Sequence, residues 1–366
     1  METKREDMTM RALYLLAIVF VVDGHIPLQD LFDLGGLFGY YSFHLLLFTF
    51  GSGCLFRLHG TLSQDILHRA RRTLLPLYAW NMAYGLLSMA LRHFAGFTLG
   101  ESLSPYTLFL APVLDGQHFV WNLGAWFLFP LFLVQVIYAG LFRLSRWVGG
   151  DGRLLFVLCL LMGCFAVFRL RAGENQPLWL LRTLVLLPGY AGGALYTEWI
   201  RQRDTMPSLP YFMIIFLLRT LLILMVGRPN YLLSNGTYFG AGPLGVYAGG
   251  FLAIAFWLRV ARILAPAVQN SPLALYLAQH TRDVMLHHYM GFFVVNCIFL
   301  LLNQTGIGAA EFSVASFRTQ SGYVFAPGEP AAYAVLYLTA GLLLPLLIPK
   351  AWESLQRQIL SYFGIS

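Results

Sequence analysis

Long apolar runs alternate with short polar bends along almost the whole chain. A helix needs about 20 apolar residues to cross the hydrocarbon core of a bilayer. Ten runs meet that pattern: 9–27, 37–56, 73–92, 119–142, 154–171, 178–200, 211–227, 238–260, 272–302 and 331–349. The ninth is longer than one crossing needs and polar at its start, which predicts a strong tilt or a break near Gly291. No polar stretch between runs is long enough for a soluble domain. The pattern therefore predicts an all-α, polytopic membrane helix bundle of about ten transmembrane helices, a single domain over 1–366. The eighth run carries Gly240, Gly242, Gly245, Gly249 and Gly250. Small residues let helices approach closely in lipid; close packing and a ligand passage beside the glycines both stay open.

Composition agrees with a membrane protein. The chain is 58% hydrophobic and 11% charged, against about 25% charged residues in soluble domains. The net charge of +7 comes from basic residues in short clusters between apolar runs. That distribution speaks for cytoplasmic loops beside membrane lipid, not for nucleic acid, and puts both termini in the cytoplasm. Cys54, Cys159, Cys164 and Cys297 all lie in apolar runs without metal-ligand spacing, so core packing is expected and no metal. The first run passes Asp23 and His25 without a small-x-small cleavage site, so it is read as a span, not a signal.

Ionisable groups within spans are costly and mark candidate functional sites. His25 lies 16 residues beyond Thr9, about 24 Å into a core about 30 Å thick. His44, on a second helix descending from Leu37, lies about 10 Å below the opposite boundary. The two histidines are thus expected at one depth, near the outer face. A neutral imidazole there can take a proton from a hydroxyl and return it. Its tautomer needs a partner, for which Asp23 and His44 are the candidates; Asp23, two residues before His25, needs Gly24 to relax the helix end.

On the inner side, Arg69, Arg71 and Arg72 open the third span, and Arg69 and Arg72 share a helix face. Arg11 shares a side of the first helix with His25. Guanidinium forks suit a polyphosphate, although arginines at inner helix ends also meet anionic headgroups. Tyr276, His280, Asp283 and His287 form one face of the ninth run, with Arg282 pointing away. That face is read either as lining a substrate passage or as an interhelical hydrogen-bond network. Arg182 and Arg219 must find carboxylates, carbonyls or water inside the bundle, with Glu198 and Asp283 as candidate pairs and a donor-phosphate or polar-pocket role also open. Trp121, Asn122 and Trp126 are interfacial anchors or a platform for a sugar ring.

These segments together resemble the membrane-bound acyltransferase 3 family, in particular its sugar O-acetylase (fucose 4-O-acetylase-like) branch. Leu16 to His25 resembles the family's first-helix motif ending in Gly-His. Phe43 to Gly53 matches the pattern F-H-x-x-x-F-x-x-x-S-G at every fixed position. Arg69-Ala70-Arg71-Arg72 matches Arg-x-x-Arg, and Leu74 to Tyr78 its continuation. Trp121 to Leu128 and Asn270 to His280 resemble the fourth-helix and late motifs. One departure stands out: the family's basic residue 11 positions before the histidine is Tyr14 here, with Arg11 about one turn earlier. The resemblance implies a multi-pass protein of the bacterial inner membrane that transfers an acyl group, most simply acetyl. The donor would be acyl-CoA held in the cytoplasm by Arg69, Arg71, Arg72 and Arg11. The acceptor would be a hydroxyl of an extracytoplasmic carbohydrate or glycolipid. In that reading His25, His44 and Asp23 serve catalysis, and Trp121, Asn122, Trp126, Tyr276, His280 and Asp283 hold substrate. The alternative is a non-enzymatic transporter of glycan or lipid-linked sugar through the same bundle.

Overall fold

The computed structural model describes residues 7–28, 31–173, 177–328 and 330–362. It is 75% helical with no strand among the described residues. Eight helices are long and apolar enough to cross a membrane: α3 (Leu62–Ala95), α5 (Val120–Trp147), α6 (Gly152–Arg171), α7 (Leu178–Ile200), α8 (Ser208–Val226), α9 (Leu244–Asn270), α11 (Thr281–Thr305) and the unit Pro330–Gln356. The chain is a multi-pass membrane protein on that ground. Two predicted spans are shorter. The first run forms α1 (Met8–Asp23) and the second α2 (His44–Cys54), of 16 and 11 residues. Short helices α4 (Ala111–Leu114), α10 (Pro272–Gln279) and α12 (Val314–Thr319) complete the connections, and Pro330–Gln356 covers α13 (Pro330–Leu343) and the first part of α14 (Leu347–Tyr362).

Local chemistry sets the helix ends. The Asp7 carboxylate accepts from the Thr9 and Met10 amides at the start of α1. Thr61 and Gln64 form a reciprocal capping box that starts α3 eleven residues before the apolar run, satisfying amides that a helix start leaves open. Arg69, Arg71 and Arg72 therefore sit within α3. The ninth run breaks at His280, between α10 and α11, and not near Gly291. Gly291 instead lies where α11 crosses α13, with the Ala340 carbonyl occupying the space of a Cβ.

The bundle has an interior and a lipid-facing rim. α7 is buried along almost its full length, and α1 and α2 pack inside with it. α6 and α8 turn long apolar side chains outward, Leu161, Phe168, Leu217 and Leu224 among them. Such a surface suits hydrocarbon and not water. α2 packs along α7, α7 along α6, α1 along α9 and α11 along α13. The α2–α7 contact is glycine-mediated: a Cβ on Gly53 would collide with the Tyr190 carbonyl, and one on Gly193 with that of Phe50. Of the glycines in the eighth run, Gly249 and Gly250 pack against Arg219 and Leu46, so close packing is what they serve. Beyond one end of the bundle, Phe97, Phe119, Trp121, Phe312, Phe317 and Phe325 form a separate aromatic cluster. It joins the two long connections, residues 96–119 and 306–328, tied further by the Thr98 amide on the Arg318 carbonyl at 3.1 Å.

The glycine contact makes a checkable claim. Gly193→Leu should lower the thermal unfolding midpoint of the purified protein, by an amount equivalent to about 1–3 kcal/mol of overpacking. Gly240→Ala, where a Cβ meets nothing within 4 Å, should leave the midpoint unchanged.

Candidate functional site

Two cavities meet end to end inside the bundle. The smaller, about 270 Å³, is lined by Arg57, Arg69, Arg72, Arg282, His59, His68 and the aromatic rings of Tyr14 and Tyr190, with no carboxylate in its lining among the described residues. The larger, about 810 Å³, is lined by His25, His44, Tyr41, His118, Trp126 and Arg182, with Glu101 and Asp115 as its acidic residues. Phe48, Phe127 and Met285 line both, so a wall three side chains wide separates a cationic chamber from one holding imidazoles.

α2 supplies one side of the whole route. His44, Phe48 and Ser52 recur every four residues and therefore share a face. His44 lines the larger cavity, Ser52 the smaller, and Phe48 both. These are the polar and aromatic positions of the F-H-x-x-x-F-x-x-x-S-G pattern. Phe43 packs against Phe20 and Trp257, and the final Gly53 makes the close approach to α7. Each fixed position thus has a physical role.

The histidines are positioned by the joint between α1 and α2, not by two matched helices. His25 lies in the turn after α1 and His44 is the first residue of α2. The same cavity holds both, but helical rise from Leu37 does not account for His44, because residues 37–43 are not α-helical. His25 Nδ1 lies 2.6 Å from the Val21 carbonyl, and His44 Nδ1 2.6 Å from that of Tyr40. A carbonyl only accepts, so in the neutral rings Nδ1 carries the proton and Nε2 keeps the lone pair. Backbone carbonyls therefore fix both tautomers, a role expected of Asp23 or His44. Asp23 is buried and accepts the Leu31 amide at 3.0 Å, shaping the loop that follows His25. Tyr41 donates to the Gly24 carbonyl at 3.0 Å and closes the same joint. A third imidazole, His288, lies against His25 with ring centroids 4.9 Å apart; the run of two histidines at 287–288 was its only mark in the sequence.

The arginine end differs from expectation in its division of labour. Asp65, fully buried on α3, accepts from Arg69 at 3.1 Å, from Arg143 at 3.1 Å and pairs with His59 at 3.1 Å. Arg69 also donates to the Arg57 carbonyl at 2.8 Å. Arg69 is thus held as a wall of the cavity. Arg72 has no hydrogen-bond partner for its guanidinium among the described residues, and Arg282 joins it from α11 by donating to the Arg72 carbonyl at 3.2 Å. Arg71 is exposed and lines neither cavity. Arg11 reaches the Ala278 carbonyl at 3.5 Å and does not line the cavity, whereas Tyr14 does.

The other proposed substrate residues separate. Of Trp121, Asn122 and Trp126, only Trp126 lines the larger cavity; Trp121 packs on Phe293, and Asn122 is buried beside it. Tyr276, His280 and Asp283 line neither cavity. They form a network in which His280 Nδ1 meets Asp283 at 2.9 Å and Tyr276 donates to Glu353 of α14 at 3.3 Å. His287 bonds Tyr84 at 2.7 Å. That face is the interhelical network and not a passage. Of the partners open to Arg182 and Arg219, carbonyls are the ones found, and not Glu198 or Asp283: Arg219 donates to the Leu37 carbonyl and the Ser42 hydroxyl, each at 2.8 Å, and Arg182 to the carbonyls of Asp115 and Leu233.

No family model, curated protein or solved structure matches the chain.

The Asp65 cluster generates a prediction. Asp65→Ala leaves Arg69 buried without its carboxylate, a loss on the order of 3 kcal/mol. A lowered unfolding midpoint and faster proteolysis at the start of α3 should follow; a midpoint equal to wild type would contradict the role given to Asp65.

Proposed function

We propose that the protein is a membrane O-acyltransferase of the acyltransferase 3 type, moving an acyl group, most simply acetyl, from acyl-CoA to a hydroxyl of a carbohydrate or glycolipid. The observation that carries this reading is the common wall of Phe48, Phe127 and Met285 between a cavity of arginines and a cavity of imidazoles. A polyphosphate with a long uncharged arm matches that order. Its phosphates suit Arg72, Arg57 and Arg282, since a chamber lined by one sign of charge concentrates the opposite sign. Its arm suits the apolar wall, and its thioester then arrives beside His25 and His44.

In this reading His25 Nε2 takes the hydroxyl proton as the oxygen attacks the thioester carbonyl. The new C–O bond forms, the C–S bond breaks, and the proton passes from Nε2 to the departing sulfur. His44, with its own Nε2 unprotonated, assists as a second base or, once protonated, stabilises the oxyanion. The arginine chamber would face the cytoplasm and the imidazole chamber the other side, with ten membrane crossings in all and both termini inside. The bacterial inner membrane is the setting the resemblance implies.

The test is acetyl-CoA binding and transfer by the purified protein in nanodiscs. His25→Ala should lower transfer by about 10²-fold or more, the usual share of a general base, with acetyl-CoA affinity retained. Arg72→Ala should weaken acetyl-CoA binding by about tenfold, roughly one charge-assisted contact. Unchanged turnover in His25→Ala removes the base assignment. An absence of acetyl-CoA binding in the wild type favours transport of glycan through the same two chambers.

A further inference from the structure

His118 is not used by the transfer chemistry, yet it is placed as if for a ligand. It lies at the end of the loop after α4, immediately before α5, and lines the larger cavity. It is 6% exposed, and neither Nδ1 nor Nε2 has a partner among the described residues. Two buried polar atoms left unsatisfied cost about 1–3 kcal/mol each, so the site is complete only when something fills both. Burial pushes the imidazole down to about 3, and the Arg182 guanidinium adds to the effect. The ring is therefore neutral, with one N–H donor and one acceptor nitrogen.

The surroundings narrow the ligand further. Half-buried Trp126 lines the same cavity and offers an aromatic face. Arg182 sits over that ring, 5.3 Å from its centroid. Each of its three nitrogens is engaged by a backbone carbonyl: Asp115 at 3.0 Å, Leu233 at 3.3 Å, and Ser234. Gly116, at φ +68, has no room for a Cβ beside that guanidinium. Arg182 thus holds two loops around the cavity, whose lining also includes the acidic residues Glu101 and Asp115, the latter's carboxylate accepting from the Tyr106 hydroxyl at 2.5 Å.

We propose that His118 and Trp126 form a subsite for a neutral, polyhydroxylated ring, an uncharged sugar, and that the site discriminates against anionic sugars. A hydroxyl pair supplies what His118 lacks, an acceptor for its N–H and a donor for its bare nitrogen. The C–H face of the ring stacks on Trp126. A carboxylate on the sugar would add a third negative charge to those of Glu101 and Asp115, against the single positive charge of Arg182 in the same lining. The assignment rests on the reading of this cavity as the acceptor side, and it gives that acceptor a charge class.

The test uses full-length protein in lipid nanodiscs, without sugar detergents and without acyl-CoA. Saturation-transfer NMR would compare a panel of neutral methyl hexosides and deoxyhexosides, the corresponding methyl hexuronides, and a neutral hexose carried on a short polyprenyl diphosphate. Neutral glycosides should bind about tenfold or more tightly than uronides. His118→Ala and Trp126→Ala should each lose that preference, while Trp126→Phe and His118→Gln retain part of it. Unfolding midpoints equal to wild type should report that all four variants are folded, and acetyl-CoA affinity, measured in separate samples, should be unchanged. Binding of the carrier-linked hexose alone identifies a lipid-linked source, and equal binding of the methyl glycosides a free glycan; either agrees with the subsite. Tighter uronide binding, wild-type binding in both alanine variants, or no binding of any neutral sugar overturns it. Neutral-sugar binding without acetyl transfer would leave the subsite standing and remove the transferase reading; transfer to uronides would do the reverse.

Discussion

The close approach of α2 to α7 is the contact on which the rest of the site depends. Gly53 and Gly193 let each helix rest against carbonyls of the other, which fixes both the axis of α2 and its rotation. A side chain at either position would push α2 outward, and with it the opposite stripe of His44, Phe48 and Ser52. That stripe borders both cavities. A short helix of 11 residues holds such a position only because its neighbours bury it, since packing and not hydrophobic transfer holds helices together in lipid.

Electrostatics divides the interior in the same way. Buried guanidinium groups need acceptors, and most here take backbone carbonyls: Arg182 those of the two loops around the imidazole cavity, Arg219 that of Leu37 in the joint after α1. Two carboxylates also serve: Asp65 is shared by Arg69, Arg143 and His59, and Asp204 by Arg259 and Arg262. Because Asp65 stands behind the wall, the cavity lining itself remains cationic. The opposite cavity carries imidazoles, two acidic residues and a single guanidinium, Arg182, whose nitrogens are all taken by carbonyls. One route therefore joins an end suited to polyanions with an end suited to uncharged polar groups.

Much of this was legible in the residues. The alternation of apolar runs identified a helical membrane bundle, because span length is a local property that the bilayer thickness imposes. The pattern from Phe43 to Gly53 lies on α2 and one residue before it, and the cavities show that its spacing of four places His44, Phe48 and Ser52 on the face that lines the route. Arg72, His25 and His44 stood out because charge and imidazole are expensive in hydrocarbon. The first eleven residues of α3, seven of them polar or charged, were hidden from hydropathy, and only the Thr61–Gln64 cap extends the helix through them.

Sequence by itself determined the class of the protein, the candidate catalytic imidazoles and the positive character of one entrance. Tertiary structure alone decided which groups are committed and which are available. Arg69 stays in the cavity wall but is bonded to Asp65 and the Arg57 carbonyl, and Arg11 reaches toward Ala278, while Arg282 and Tyr14 join the lining. Carbonyls of Val21 and Tyr40, not Asp23, set the tautomers of His25 and His44. Tyr276, His280 and Asp283 form a network with Glu353, 70 or more residues further along the chain. His118 acquires meaning only from what surrounds it. The physical reason is common to all of these. Periodicity reports which residues share a face, but a hydrogen bond is made by whichever acceptor the fold brings within reach, at any distance along the chain.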